Sequence, residues 1–174
     1  NEACLRLPGI DGKAKMSKSL GNCIYLAEDP KDIKKKVMSM FTDPNHIRIE
    51  DPGSLEGNTV FTYLDAFCND QHFEEYLPDY KNLDELKEHY QRGGLGDVKV
   101  KKFLNNVLQE ELEPIRKRRE ELQKDIPYVY EVLKKGSEVA RETAAQTLHE
   151  VRDAMKINYF DDMELIRSQA KKYE

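Results

Sequence analysis

The sequence predicts a mainly α-helical protein, in which a loop and one linker helix precede a helical bundle. From residue 58 onward, apolar residues recur at the three- and four-residue spacing of amphipathic helices. Asn and Asp residues precede several of these patterns, as helix caps do. Only two short stretches, residues 23–27 and 47–49, could be strands or extended segments. Helices therefore dominate the predicted fold.

The first part of the chain, residues 1–28, contains three glycines and is predicted to be mostly loop. Asp29 can cap a linker helix that has Pro30 at its first position. The apolar face of this helix would hold Ile33, Val37, Met40 and Phe41. The helix should end before residues 43–45, and residues 44–57 form a connection to the second part of the protein.

The bundle begins with two capped helices. Asn58 or Thr59 can cap the first of them. Asn82, followed by Glu85 three residues later, resembles a capping box for the second, which should stop at glycines 93 and 94.

The later helices are predicted to be longer. Asp97 opens a helix in which Pro114 should produce a kink. Its inward residues would be Val100, Phe103, Leu104, Val107, Leu108 and Ile115. A short helix from Pro127 should end at Gly136, and the next should begin at Ser137. Its apolar stripe would hold Val139, Ala140, Thr143, Ala144, Thr147, Leu148, Val151 and Met155. A last short helix is expected after Asp161.

Composition limits the function classes. A chain of 174 residues, 39% of them hydrophobic, can form one compact domain or a small domain with an appendage. No run of about 18 apolar residues could span a membrane, and the first residues resemble neither a signal nor a transit segment. We therefore expect a soluble cytoplasmic protein. The net charge of −5 is not typical of an indiscriminate nucleic-acid binder, so any RNA contact must use a local basic patch.

The cysteines and histidines predict no metal site and no disulfide framework. The three cysteines are odd in number and widely spaced, and we interpret them as partly buried thiols: Cys4, Cys23 and Cys68. The four histidines lack metal-ligand spacing, and we assign them to the surface without chemistry: His46, His72, His89 and His149.

The residues that favour chemistry lie in the loop at residues 7–22. Its glycines give a flexible backbone, its lysines supply positive charge, and its serines supply hydrogen-bond donors. The residues concerned are Gly9, Gly12, Gly21, Lys13, Lys15, Lys18, Ser17 and Ser19. A loop that approaches a polyphosphate needs these three properties. Lysines alone would favour a solvated turn, but the complete sequence Lys-Met-Ser-Lys-Ser at residues 15–19 is more specific.

This five-residue sequence resembles the second signature of the class I aminoacyl-tRNA synthetases. The resemblance implies that Lys15 and Lys18 are catalytic cations, with Lys18 the first choice, and that they stabilise the leaving pyrophosphate. It further implies that ATP, as its magnesium complex, is a substrate. The ATP-binding residues would be Lys15, Met16, Ser17, Lys18 and Ser19. We call residues 15–19 the signature loop.

Later motifs resemble the tryptophanyl enzymes of bacteria in order and spacing. They lie at residues 42–44, 57–61, 94–99 and 112–116, and in the helix ending at Met155. The resemblance implies a tryptophan–tRNA ligase that binds its tRNA, ATP and tryptophan and acts as a homodimer. Residues 1–57 would be a remnant of the catalytic domain, with the signature loop and linker helix from the edge of a missing α/β nucleotide-binding domain. Residues 58–174 would be the helical anticodon-binding domain.

A carboxyl-terminal fragment is expected, because the chain begins with Asn1 and the signature loop follows a dozen residues later. The His-Ile-Gly-His signature of such enzymes does not occur in these 174 residues. We therefore predict that the chain, alone, makes no aminoacyl adenylate.

Basic residues along the long helix are candidates for tRNA binding, and we select Lys99, Lys102, Arg116 and Arg119. Cations hold RNA phosphates, while aromatic residues such as Tyr128 and Tyr130 could stack on bases. Interleaved glutamates equally favour an ordinary solvated helix face. The alternatives are a tyrosyl enzyme fragment, a non-catalytic RNA-binding helical module and a structural adaptor.

Overall fold

The computed structural model describes residues 6–160 and 162–173, and these are mainly α-helical. The helices are α1 (Pro30–Met38), α2 (Thr59–Phe67), α3 (Asp70–Tyr76), α4 (Leu83–Arg92), α5 (Asp97–Gln123), α6 (Ile126–Ala154) and α7 (Met163–Ala170). Within the described residues, β-structure is limited to one isolated antiparallel bridge between Pro8 and Lys15. Residues 23–27 and 47–49 are irregular rather than extended strands, with turns at residues 26, 27 and 49. Cys4 lies outside the described residues.

The chain divides into two compact units, Asn1–Glu120 and Glu121–Glu174. The functional boundary predicted between residues 57 and 58 is a different kind of division, and it stays a prediction. The first unit contains the hydrophobic core, to which α1, α2, α3, α4 and α5 all contribute. The signature loop and linker helix therefore fold as part of this core.

Helix α1 forms as its sequence indicates. The Asp29 carboxylate accepts a hydrogen bond from the Lys31 amide at 2.8 Å, and Pro30 follows it. Ile33 and Val37 are fully buried. Phe41, predicted on the same face, lies beyond the end of the helix and is 40% exposed. Its ring packs instead against Gly12 in the preceding loop, where a Cβ would lie 2.7 Å from the ring.

Helix α3 was not predicted, and its cap explains why it forms. The Asn69 side chain accepts from the His72 amide at 3.3 Å, and the His72 ring accepts from the Asn69 amide at 3.0 Å. This is a capping box in which histidine takes the usual place of Glu or Gln. Phe73 packs on Phe103 of α5 with ring centroids 4.6 Å apart. These contacts dock a seven-residue helix onto the long helix α5.

The surface assignment of the histidines is wrong at two positions. His72 is 2% exposed and His46 is 9% exposed, so both are buried. His72 is buried because it closes the cap of α3 and lies 3.6 Å from the Glu110 carboxylate. His46 packs its ring edge-on against Tyr90, with centroids 4.7 Å apart. Sequence spacing does not reveal these environments, because Glu110 and Tyr90 are distant in the chain from His72 and His46.

Helix α4 begins and ends as predicted. Asn82 accepts from the Glu85 amide at 3.0 Å, while the Glu85 carboxylate accepts from the Lys81 amide at 2.7 Å. Gly93 ends the helix with φ of 88°, which favours glycine. A Cβ on Gly93 would lie 2.3 Å from the Glu50 carbonyl oxygen. Glycine is therefore needed there for both backbone conformation and space.

Helix α5 buries the predicted apolar face over its first four turns. Five of the six predicted inward residues are buried: Val100, Phe103, Leu104, Val107 and Leu108. Ile115 is 41% exposed, because the buried face ends at Leu112. The helix continues through Pro114, which has no amide hydrogen to donate to the Glu110 carbonyl.

The second unit contains α6 and α7. The predicted break at Gly136 is wrong, because α6 runs unbroken from Ile126 to Ala154. A single glycine inside a helix costs about 1 kcal/mol relative to alanine, which a helix of this length tolerates. The apolar residues from Val139 to Met155 are exposed. Helix α7 forms after Asp162, whose carboxylate accepts from the Leu165 amide at 2.9 Å.

Candidate functional site

The signature loop directly follows an ordered turn that begins at Pro8. The Gly9 amide donates to the Ala14 carbonyl at 2.7 Å, and the Gly12 amide donates to the Gly9 carbonyl at 2.9 Å. The bridge between Pro8 and Lys15 closes this turn. The backbone that enters the signature loop is therefore fixed by its own hydrogen bonds.

The functional groups of the signature loop face solvent. Lys15, Lys18 and Ser19 are exposed, and the hydroxyls of Ser17 and Ser19 are 2.8 Å apart. Met16 is half-buried and packs against the core of the first unit. The structure thus presents two lysine ammoniums and two hydroxyls on a supported backbone. Such groups can neutralise and hydrogen-bond a polyphosphate.

Two contacts fasten this region to the helices. The buried Tyr63 of α2 donates its hydroxyl to the Pro8 carbonyl at 2.7 Å, and burial raises the pKa of this phenol. The Phe41 amide, just after α1, donates to the Ile10 carbonyl at 2.8 Å. Since Tyr63 stays protonated, its hydroxyl remains a donor at neutral pH. The turn is therefore tied to both α1 and α2.

Asn22 is a residue of this site to which the sequence analysis assigned no role. Its side chain is buried and accepts from the Ser17 amide at 2.8 Å. The only sequence signal was its position directly after Gly21, close behind the signature loop. The partners of its side chain, five to eleven residues away within an irregular loop, could not be read from a periodic pattern.

A second candidate site surrounds the start of α5. Lys99 and Lys102 are exposed and line a pocket of about 600 Å³. Lys99 donates to Asp79 at 2.9 Å, and this hydrogen bond raises the pKa of Lys99. The Lys99 ammonium also lies 5.3 Å from the centre of the Tyr80 ring. The neighbouring Lys101 donates instead to the Met38 carbonyl at 3.2 Å, and burial lowers its pKa.

The rest of this pocket combines polar rings with exposed apolar side chains. The polar rings are His46, Tyr80 and His89, and the apolar side chains are Ile47, Ile49 and Val98. The Tyr80 hydroxyl and His89 Nδ1 are 2.8 Å apart. We call this pocket the α5 pocket. Sequence reasoning found its two lysines but missed the rings, because His46 and Tyr80 lie in two separate loops and His89 lies in α4.

A buried network lies beneath the α5 pocket. The Tyr90 hydroxyl donates to Asp97 at 2.7 Å and accepts from the Asn58 side chain at 3.2 Å. Burial, followed by this bond to Asp97, raises the pKa of Tyr90. The other Asp97 oxygen lies 3.4 Å from His46 Nδ1. The first residue of α5 is therefore held by Tyr90 and His46, and Asn58 supports Tyr90.

Arg116 and Arg119 lie further along α5, outside the α5 pocket. Arg116 is half-buried and donates to the carbonyl and the side-chain oxygen of Gln109, at 3.3 and 3.1 Å. Arg119 is exposed and lines a groove of about 550 Å³ with Tyr25, Leu26 and Ile115. The four predicted cations thus form two pairs at different positions on one helix.

Tyr128 and Tyr130 are exposed residues of α6 in the second unit. Among residues 6–160 and 162–173, no three His, Cys, Asp or Glu side chains are grouped so that they could hold a metal ion. In the same part of the chain, no helix is long and apolar enough to cross a membrane.

Comparison with known sequences assigns these features to a family. A family model described as tRNA synthetases class I (W and Y) matches residues 5–113. The tryptophan–tRNA ligase of Clostridium longisporum is 65% identical over 158 residues, which are 91% of this chain and 44% of that protein. The ligase of Streptococcus agalactiae is 58% identical over 160 residues, 92% of this chain and 45% of that protein. This chain spans about half the length of the curated relatives it matches.

Solved structures give the same assignment. A crystal structure of tryptophanyl-tRNA synthetase from Campylobacter jejuni, complexed with ADP and tryptophan, matches with a TM-score of 0.67 and 28% sequence identity. The match covers 90% of this chain and 45% of that one. A second structure of the Campylobacter jejuni enzyme matches with a TM-score of 0.66 and 27% identity. The chain therefore belongs to the class I tRNA synthetase family that comprises the tryptophan and tyrosine enzymes.

Proposed function

We propose that this chain is part of a tryptophan–tRNA ligase, which activates tryptophan with ATP and transfers it to the tRNA for tryptophan in the cytoplasm. The exposed Lys15 and Lys18 on a tethered backbone are the observation that carries the proposal. The 65% identity to a tryptophan–tRNA ligase favours tryptophan over tyrosine. Tryptophan-dependent exchange of labelled pyrophosphate into ATP is the test of this function.

The signature loop acts in the activation step. A carboxylate oxygen of tryptophan attacks the α-phosphorus of ATP, and the bond from that phosphorus to the oxygen bridging to the β-phosphorus breaks. Tryptophanyl adenylate forms, and pyrophosphate leaves with the additional negative charge. The ammoniums of Lys15 and Lys18 neutralise this charge, while Ser17 and Ser19 hydrogen-bond phosphate oxygens. Met16 packs beneath them on the core.

ATP enters as its magnesium complex, in which the cation shields the phosphates. Magnesium here belongs to the substrate, since it is usually held by phosphates together with one or two carboxylates. In this proposal the nucleotide-binding sheet and most of the indole pocket belong to the part of the ligase outside these 174 residues. We propose that the complete ligase works as a homodimer, as the family resemblance implies.

The α5 pocket, which residues 46–49 form together with residues of the helical part that begins at residue 58, is proposed to receive the tRNA anticodon. Single-stranded bases are recognised by stacking and by hydrogen bonds to their edges, while cations hold the phosphates. The α5 pocket offers the half-buried His89, which the Tyr80 hydroxyl contacts, for the base, and Lys99 and Lys102 for phosphates. Arg116 and Arg119 extend the same interface along α5.

Replacing both pocket lysines by alanine should weaken tRNA binding and reduce its salt dependence. Each single-strand phosphate contact contributes about 0.7 to the slope of log affinity against log salt. We expect the slope to become shallower by about 1.4 in Lys99→Ala/Lys102→Ala, measured by fluorescence anisotropy with labelled tRNA. Arg116→Ala/Arg119→Ala should also lower affinity and slope.

The matched control is Lys31→Ala/Lys34→Ala, which removes two exposed lysines from α1 and the same total charge. This variant should keep the slope of the unsubstituted chain. If all three double variants kept the salt slope of the unsubstituted chain, the anticodon site would lie elsewhere.

A further inference from the structure

Asn22 connects the backbone on both sides of Met16. Its Oδ1 accepts from the Ser17 amide at 2.8 Å, and its Nδ2 donates to the Lys15 carbonyl at 3.4 Å and to the Asp11 carboxylate at 3.2 Å. Its own carbonyl accepts from the Ile10 amide at 2.9 Å. The buried Asn22 side chain, 4% exposed, therefore joins three points of the loop, and the Asn22 main chain joins a fourth.

The space for this amide depends on Gly9. A Cβ on Gly9 would lie 2.2 Å from Asn22 Nδ2 and 2.6 Å from Asn22 Cγ. Any larger residue at position 9 would displace the Asn22 side chain. Gly9 and Asn22 thus form a matched pair, in which the absence of one side chain provides room for the other.

The two lysines of the signature loop cannot position themselves. Lys15 and Lys18 are exposed, and an ammonium on a flexible four-carbon stem is not oriented by packing when the stem lies in solvent. Their reach toward a phosphate is therefore set by the backbone that carries them. Asn22 holds that backbone directly at Lys15 and at Ser17, the residue immediately before Lys18.

We propose that Asn22 is a positioning residue: it holds the backbone of the signature loop so that the ammoniums of Lys15 and Lys18 contact the leaving pyrophosphate. Asn22 touches no substrate in this account and acts through the loop backbone. The inference rests on the proposed ligase function. Displacing a catalytic group by about 1 Å can slow a reaction about 100-fold. Loss of the Asn22 hydrogen bonds should therefore lower the rate of pyrophosphate exchange.

The test uses a full-length chimera, in which this chain replaces the matching part of the Clostridium longisporum ligase. Asn22→Asp preserves shape and the acceptor for Ser17, but removes both Nδ2 donors and places a carboxylate beside Asp11. We expect kcat for ATP–pyrophosphate exchange to fall about 10- to 100-fold. KM for tryptophan should not change, because we place most of its pocket outside this chain.

A compensating substitution separates positioning from folding. In Asp11→Asn/Asn22→Asp, the new amide at position 11 can donate to the new carboxylate at position 22, so part of the lost kcat should return. Gly9→Ala should resemble Asn22→Asp in kcat, because it displaces the same amide. The concentration of tryptophan-binding sites, titrated for each variant, corrects for unfolded protein.

The outcomes are distinct. An unsubstituted chimera that exchanges no pyrophosphate would contradict the proposed function itself. An active chimera in which Asn22→Asp keeps its kcat would overturn the role of Asn22 alone. A loss accounted for entirely by fewer tryptophan-binding sites would also overturn it, since that result indicates a fold defect. A lower kcat per site, partly restored by Asp11→Asn, supports the proposal.

Discussion

Lys18→Ala in the full-length chimera should lower kcat for pyrophosphate exchange about 100- to 1,000-fold. Removing one preorganised group that stabilises transition-state charge typically costs this much, about 2.7–4 kcal/mol. The charge on pyrophosphate develops as the bond to the α-phosphorus breaks, so an interaction with Lys18 strengthens mainly in the transition state. The effect should therefore appear in kcat, with KM for tryptophan unchanged.

The matched control for Lys18→Ala is Lys34→Ala, which removes an exposed lysine of α1 with the same change of charge. It should exchange pyrophosphate at the rate of the unsubstituted chimera. Lys18→Arg keeps the charge but not the compact ammonium, and should retain an intermediate rate. If Lys18→Ala matched Lys34→Ala, the signature loop would have no catalytic role.

Phe103→Ala should destabilise the first unit by about 3–5 kcal/mol, the usual cost of truncating a buried phenylalanine. Phe103 is 2% exposed, and its ring contacts Phe73 of α3. The substitution would leave a cavity between α3 and α5 and remove the main aromatic contact that docks α3. Urea unfolding followed by circular dichroism should show a lower midpoint with an unchanged slope.

Ile47→Ala provides the comparison for Phe103→Ala, because Ile47 is 84% exposed and its truncation removes little buried surface. Its urea midpoint should remain close to that of the unsubstituted chain. A Phe103→Ala midpoint equal to that of Ile47→Ala would mean that α3 does not pack on α5 as described.

The helix starts could be predicted because they depend on local chemistry. Asp29, Asn58 and Asn82 each accept a hydrogen bond from an amide two or three residues later, and each stands before an apolar pattern. Helix α3 escaped prediction because it has only seven residues and a histidine in the third position of its cap. Gly136 was given too much weight as a terminator, since glycine ends a helix reliably only where the backbone needs a positive φ.

In the candidate sites, too, features set by neighbouring residues could be predicted and features set by distant contacts could not. The signature loop could be found from the sequence because its chemistry lies in five consecutive residues. The α5 pocket could not, because His46 lies more than thirty residues before Tyr80 and His89 in the chain, and the three rings meet only after α4 and α5 pack. Asn22 was visible beside the signature loop, but its hydrogen bonds follow no helical or strand period.

Pyrophosphate exchange tests the central claim, that this chain carries the pyrophosphate-stabilising part of a tryptophan–tRNA ligase. The measurement compares three samples: residues 1–174 alone, the amino-terminal remainder of the Clostridium longisporum ligase alone, and the chimera that joins them. The account predicts tryptophan-dependent exchange only in the chimera. Exchange by residues 1–174 alone at the rate of the chimera, or a folded chimera with no exchange, would contradict it.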